Sequence, residues 1–334
     1  MAAEVGKVAS VAAASIAEIL GVAVASIGKV IGITMPSGGG ASTRGLFFGG
    51  ATPSNVIQYI EIETLSNTSD FGDLTVARSD GGGCGSATRG VFGGGYTTAK
   101  SNVIDYFTIA TPGNATDFGD LSVSRFGCGG TSNDTRAIFS GGSTGSISNV
   151  IDYITIDTTG NATDFGDLSV TRRDCEASVG STTRAVYAGG YDGLNKALNT
   201  MDYSTIDTTG NATDFGDLTA KRGGVRGVSS GTRGVFGGGF TDTVHVDVME
   251  YITIASTGNG TDFGDLSSIK SYMAGCSSKT RGVFAGGYST ASWTTINVVE
   301  YITIATEGNA ADFGDLLATQ ANFAGTSSGH GGLA

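Results

Sequence analysis

The chain has 334 residues, of which 56 are glycine and only 3 proline; 39% are apolar, 15% are charged, and the formal net charge is −12. Collagen is excluded, because it needs a strict Gly-X-Y period and abundant proline. The acidic field repels phosphate backbones and no Lys/Arg run interrupts it, so nucleic acid is not an expected partner.

Residues 1–36 come first. Positions 8–33 are apolar, but Glu18 and Lys29 leave only ten residues between charges, too few to span a bilayer. Glu4 spoils the basic start of an export signal. The segment holds a short tandem, ASIAEILGVAV (14–24) and ASIGKVIGITM (25–35). An exposed apolar arm is costly unless it docks on something, so residues 1–36 are expected to be an attachment arm that orders on assembly, without membrane insertion.

From residue 43 two landmarks recur six times, 45 to 50 residues apart. The first is Thr-Arg-Gly/Ala running into an apolar strand, with its arginine at Arg44, Arg89, Arg136, Arg184, Arg233 and Arg281. The second is Asp-Phe-Gly-Asp-Leu, whose second aspartate is Asp73, Asp120, Asp167, Asp217, Asp265 and Asp315. Between them, segments such as Asn-Val-Ile-Asp-Tyr-Ile-Thr-Ile alternate and are β-branched, which reads as strand, while Gly-Asn-Ala-Thr reads as turn. No long helical period appears. Four short strands per repeat predict an all-β fold: a six-bladed β-propeller over residues 37–334, with blades starting near 43, 80, 126, 174, 223 and 271. ANFAGTSSG (321–329) matches the innermost-strand slot of the other repeats, as in SYMAGCSSK (271–279). It is therefore expected to complete the first blade and remove the free sheet edge.

The glycine pair closing the second strand, the Asp/Glu-Tyr step in the third (Asp105-Tyr106, Asp152-Tyr153, Asp202-Tyr203, Glu250-Tyr251, Glu300-Tyr301) and the arginine ending the fourth (Arg78, Arg125, Arg172, Arg222) resemble kelch-type propellers. The pattern departs in one place: Phe of DFGDL stands where kelch repeats carry Trp. The apolar arm resembles N-terminal attachment segments of tailed-phage virion proteins, and the NATDFGDL-type repeat is similar to propellers of phages that infect cyanobacteria. That resemblance implies a virion structural protein, made in the host cytoplasm, present in multiple copies and held to other virion proteins through its arm. It would be a tail-fibre or tail-associated propeller touching a host-surface glycan or envelope protein; a head-associated decoration protein and a cytoplasmic kelch-like interaction module are the alternatives.

Sixfold repetition argues against catalysis by the repeat itself. DFG without a kinase's other motifs is structural. Asp70 with Asp73 recurs in every copy, whereas an active site needs one asymmetric set, and no EF-hand or RTX-type pattern suggests calcium. The sequons at Asn67, Asn114, Asn161, Asn211 and Asn259 read as turn residues. Only His245 and His330 could offer imidazole to copper. No catalytic residue, metal or cofactor is expected. Cys84, Cys128, Cys175 and Cys276 are expected in one equivalent slot of different repeats, as free buried thiols. Phe71 and its equivalents are expected to pack between blades, and the DFGD aspartates to bond turn amides or the Thr-Arg-Gly arginines, as in an Arg136–Asp167 pair. Divergence concentrates in the tips between second and third strands, which should share one face. Their Tyr96, Tyr191, Phe240, His245, Tyr288 and Trp293 either cap the sheets or recognise a protein or sugar.

Overall fold

The computed structural model describes residues 43–175, 177–289 and 293–333. The expected arm, and residues 37–42 of the expected propeller, lie outside the described residues. Among the described residues there is no helix, and so none long and apolar enough to cross a membrane. Each repeat folds as an antiparallel four-stranded sheet, and six such blades form the ring. Blade 2 is representative, with strands Gly82–Gly85, Arg89–Gly93, Val103–Thr108 and Thr116–Asp120 from the axis outward. The innermost strands of blades 3 to 6 are Gly129–Ser132, Ala177–Gly180, Arg226–Ser229 and Ala274–Ser277. Blade 1 takes its innermost strand, Ala324–Ser327, from the end of the chain, where it pairs antiparallel with Arg44–Phe48. Each innermost strand neighbours the next, so the ring closes without a free inner edge. In blade 6 the tip adds a short strand, Tyr288–Ser289.

The landmarks explain the contacts between blades. A bulge opposite the DFGD segment (Ile151 faces Gly166, Asp152 faces Asp164) leaves Phe165 unpaired and turned inward. Its equivalent Phe71 is buried, edge-on to Tyr59 of its own blade at 5.9 Å and to Phe107 of the next at 5.6 Å. The DFGD glycine lies against the neighbouring blade: a Cβ on Gly166, at φ +145°, would sit 2.5 Å from the Gly210 carbonyl. Just beyond, Asn211 Oδ1 accepts the Asp167 N–H at 3.1 Å. All six blade junctions carry this asparagine staple. Asn309 makes it too although it stands in no sequon, so position, not glycosylation, selects asparagine.

The expected Arg136–Asp167 pair does not form. Arg136 stacks over Tyr153 of its own blade at 4.3 Å and donates from Nη1 to the Ile206 carbonyl of the next blade at 2.8 Å. The other five Thr-Arg-Gly/Ala arginines do the same, each over its own tyrosine and onto the next blade's carbonyl. The guanidinium reaches across the junction to a preorganised carbonyl, while the Asp167 backbone is already held by asparagine.

The fully buried ion pairs form from the other two rows, whereas Arg44 and Arg233 of the Thr-Arg-Gly row pair with the more exposed Glu61 and Glu307. Arg78, Arg125, Arg172 and Arg222, ending fourth strands, pair with Asp105, Asp152, Asp202 and Glu250 in the third strand of the next blade, and Lys270 pairs with Glu300. All ten side chains are at most 1% exposed. At the junction of blades 6 and 1 both charges are absent together. Gln320 replaces the cation and donates to the Gly49 carbonyl; Gln58 replaces the carboxylate and accepts from Thr68 Oγ1 and the Leu317 N–H. A buried charge without its partner is strongly unfavourable, so the two positions must change together.

The four cysteines are free and buried. They occupy two slots rather than the single one expected: Cys84 and Cys276 lie within innermost strands, whereas Cys128 and Cys175 precede them. The two slots are three residues apart: Cys84 and Cys276 stand six residues after Arg78 and Lys270, Cys128 and Cys175 three residues after Arg125 and Arg172.

Candidate functional site

Where each chain segment enters its innermost strand, one residue adopts a left-handed backbone: Asp80, Gly127, Asp174, Gly224, Tyr272 and Asn322, with φ between 52° and 64°. These six form a closed hydrogen-bonded belt around the axis. The N–H of each donates to the carbonyl of its neighbour: Gly127 to Asp80, Asp174 to Gly127, Gly224 to Asp174, Tyr272 to Gly224, Asn322 to Tyr272 and Asp80 to Asn322, over 2.6–3.4 Å. The preceding residues bridge to the tips, as Ser79 to Tyr96 and Ser271 to Tyr288, which places the belt on the face where the tips emerge.

The belt is symmetric in backbone and asymmetric in side chain. A Cβ on Gly127 would lie 2.5 Å from Asp174 Oδ1, and one on Gly224 would lie 2.7 Å from the Tyr272 ring. The two glycines make room for their neighbours' side chains, so one half of the mouth differs from the other. Left-handed φ is tolerable for Asp and Asn but strained for an aromatic residue. Tyr272 at 56° and Trp293 at 53° both accept it here. The Tyr272 hydroxyl donates to Asp174 Oδ2 at 3.2 Å, and Arg173 pairs with the same carboxylate.

Below the belt the axis is crossed by Arg226, the first residue of its innermost strand, where Gly or Ala stands in the other blades. Its guanidinium bonds the Met273 and Phe323 carbonyls of two further blades. Burial pushes the Asp80 carboxyl up to about 7; the hydrogen bond from Ser79 opposes this, the negative Asp174 reinforces it, and Arg226 and Arg173 oppose it. Asp174 is raised as well, again by burial, against the pull of Arg173, Tyr272 and Arg226.

The tips supply an aromatic wall. Trp293 stands 5.0 Å from Phe240, 4.6 Å from His245, 5.3 Å from Tyr288 and 5.9 Å from Tyr272, between ring centroids. Four of the six tip residues singled out in the sequence, Phe240, His245, Tyr288 and Trp293, therefore meet in one cluster. His245 is its buried base, with Nδ1 2.8 Å from Ser271 Oγ and burial lowering its proton affinity. Tyr191 is also buried, its hydroxyl on the Phe240 carbonyl at 3.1 Å. Tyr96 stands apart, edge-on to Phe126 at 5.5 Å across the mouth. Together belt and wall enclose an open cavity of about 480 Å³, within the roughly 300–1,000 Å³ of small-ligand sites. Sequence reasoning missed Asp80, Arg173, Asp174, Arg226, Tyr272 and Asn322, which lie in Gly/Ser/Cys-rich runs that look structural. The signal is the belt column itself, which reads Asp, Gly, Asp, Gly, Tyr, Asn across repeats that are otherwise nearly uniform.

The opposite end of the axis is covered by residues 330–333. His330 Nε2 donates to the Gly85 carbonyl at 2.9 Å while Nδ1 accepts the Gly332 N–H at 3.1 Å, and Leu333 is buried. Between tail and Arg226 the channel narrows to a cavity of about 70 Å³.

No protein-family model matches the chain, and no curated protein matches it either.

Proposed function

We propose that the chain is a non-enzymatic recognition protein of a phage virion, a tail-associated propeller that displays its tip face to the host surface. The observation that carries the recognition part is the asymmetric mouth, built where six otherwise near-equivalent blades diverge and rimmed by a partly exposed tryptophan. Rigid scaffolds with variable loops on one face serve binding well, since the loops vary without unfolding the core. The virion part is supported by the resemblance of the DFGDL repeat and of residues 1–36 to phage virion proteins.

Cosedimentation with purified phage particles and, separately, with cyanobacterial cells tests both parts, using the full chain and one starting at Met35. Cell binding that survives loss of the arm is the expected result. Arm-dependent binding to particles without cell binding would instead make it a head-associated decoration protein. Binding to neither would refute the virion reading, and turnover of nitrophenyl glycosides would refute its non-enzymatic character.

A further inference from the structure

We propose that the mouth on the tip face binds the terminal residue of a neutral glycan, with a hexose ring laid against Trp293 and Tyr288 and its hydroxyls held by Asp80, Asp174 and Asn322. This deepens the recognition reading and rests on it only for the biological source of the sugar.

The first argument is shape. The cavity opens outward between the tips, and beneath the belt the channel is narrowed by Arg226, which is bonded to carbonyls on blades 6 and 1 and lines the separate cavity of only about 70 Å³ below. A chain cannot thread through a blind mouth; an end group can enter. The second is the wall. Trp293 remains 41% exposed although four aromatic rings pack around it. A flat apolar surface beside polar groups matches the C–H face of a pyranose, which is apolar on its face and polar at its edge. The third is the floor. Asn322 lines the mouth with its Oδ1 buried and without a hydrogen-bond partner, and turning the amide towards a ligand hydroxyl gives that acceptor the donor it lacks in the free protein. Asp174 presents Oδ2 to Tyr272 and Arg173, with Oδ1 over the Gly127 gap. The fourth is charge. Among the lining residues Arg173 is already paired with Asp174, and burial pushes the Asp80 carboxyl towards its neutral form, so the described mouth offers a ligand no unpaired full charge. That favours a neutral ligand over an anionic or cationic one. The glycines that vacate two belt positions make the arrangement unique in the ring, so one sugar binds per propeller.

Trp293 is the only tryptophan of the chain, so its fluorescence reports the site directly. The full-length protein is titrated with the methyl glycosides of glucose, galactose, mannose and N-acetylglucosamine, and with methyl glucuronide and glucosamine. We expect a saturable change with at least one neutral glycoside in the millimolar range. Asn322→Ala should weaken it about tenfold, the loss of one hydrogen bond to a ligand, while Leu194→Ser, at an exposed tip away from the mouth, leaves it unchanged. Circular dichroism checks that the variants fold. No saturable response to any neutral glycoside, or equal or tighter binding of the charged sugars, overturns the proposal. Cell binding by the parent protein with no response to any neutral glycoside sinks the sugar site and leaves the display reading intact. Glycoside binding without cell or particle binding does the reverse.

Discussion

The buried ion pairs between blades can be exchanged only as pairs, and the junction of blades 2 and 3 gives the cleanest test. Arg125 and Asp152 are both fully buried, with Nη2 donating to Oδ2 at 2.9 Å. Arg125 also donates to the Val150 and Phe139 carbonyls, and Asp152 accepts from the Ser122 hydroxyl and N–H. Asp152→Gln leaves a guanidinium buried with no counter-charge, and Arg125→Gln leaves the carboxylate so. Removing one partner of such a pair costs about 3–5 kcal/mol, or a fall in Tm of roughly 6–12 °C for a domain of this size. The protein already contains the neutral solution, Gln320 with Gln58 at the closing junction. The double variant Arg125→Gln/Asp152→Gln should therefore recover most of the loss and sit within about 1–2 kcal/mol of the parent. Differential scanning calorimetry and urea unfolding on the parent, both single variants and the double give the coupling. A double variant as unstable as the sum of the singles would refute the claim that partner loss, rather than packing, sets the cost.

Three further outcomes follow from contacts described above. Arg136→Ala and Asp167→Ala should act additively in urea unfolding, because Arg136 bonds the Ile206 carbonyl and stacks on Tyr153 rather than meeting Asp167; a coupling above about 0.5 kcal/mol would contradict this. Asp80 holds its proton more tightly folded than unfolded, so its contribution is full below the ordinary carboxylate range and is lost as pH rises towards about 7. Asp80→Asn should flatten that slope and be more stable than the parent at pH 8 by about 1–2 kcal/mol, allowing for solvent screening of a partly exposed group; equal stability at pH 8 would count against a strained carboxylate. His330 is held neutral by burial, so its contribution is full above its ordinary value of 6.5 and is lost on acidification. The protection factors of the Gly332 and Leu333 amides, taken relative to intrinsic exchange at each pH, should fall on acidification below pH of about 6 and be low at every pH in His330→Ala; protection unchanged down to pH of about 5 would show that the tail does not depend on the imidazole.

Blade number, strand order and the closing strand were legible because two landmarks recur in register, and recurrence overrides local ambiguity. Pairing was less legible. The repeats offer two basic and three acidic rows, and sequence does not say which rows meet across a junction. The partner of Arg125 is 27 residues on, in the next blade, and a reading confined to one repeat cannot see it. The aromatic tips were visible as divergence among otherwise similar segments, and four of them converge. Their convergence depends on Tyr272, which sits in a run of small residues and looked like spacing. The mouth was missed for the same reason: its polar groups are single residues in glycine-rich entries to innermost strands, where only the column across all six repeats reveals them.

That column explains why a symmetric fold can hold an asymmetric site. Positions that join blades, such as the asparagine staple and the arginine on its tyrosine, bond through their side chains, so changing one breaks a junction. The belt instead closes through backbone N–H and carbonyl groups alone. Its side chains contribute nothing to closure and are free to differ, provided each residue accepts left-handed φ, which admits Gly, Asp and Asn readily. Tyr272 does not meet that condition without strain. Strain of this kind persists only where surrounding contacts over-determine it and clusters at functional positions; here the Asp174 hydrogen bond and the Trp293, Tyr288 and Gly224 contacts hold the ring. Tyr272→Gly should on this reasoning leave the ring intact, relieve the backbone and weaken ligand binding at Trp293. A variant that lost stability without touching the site would place Tyr272 among the scaffold residues instead.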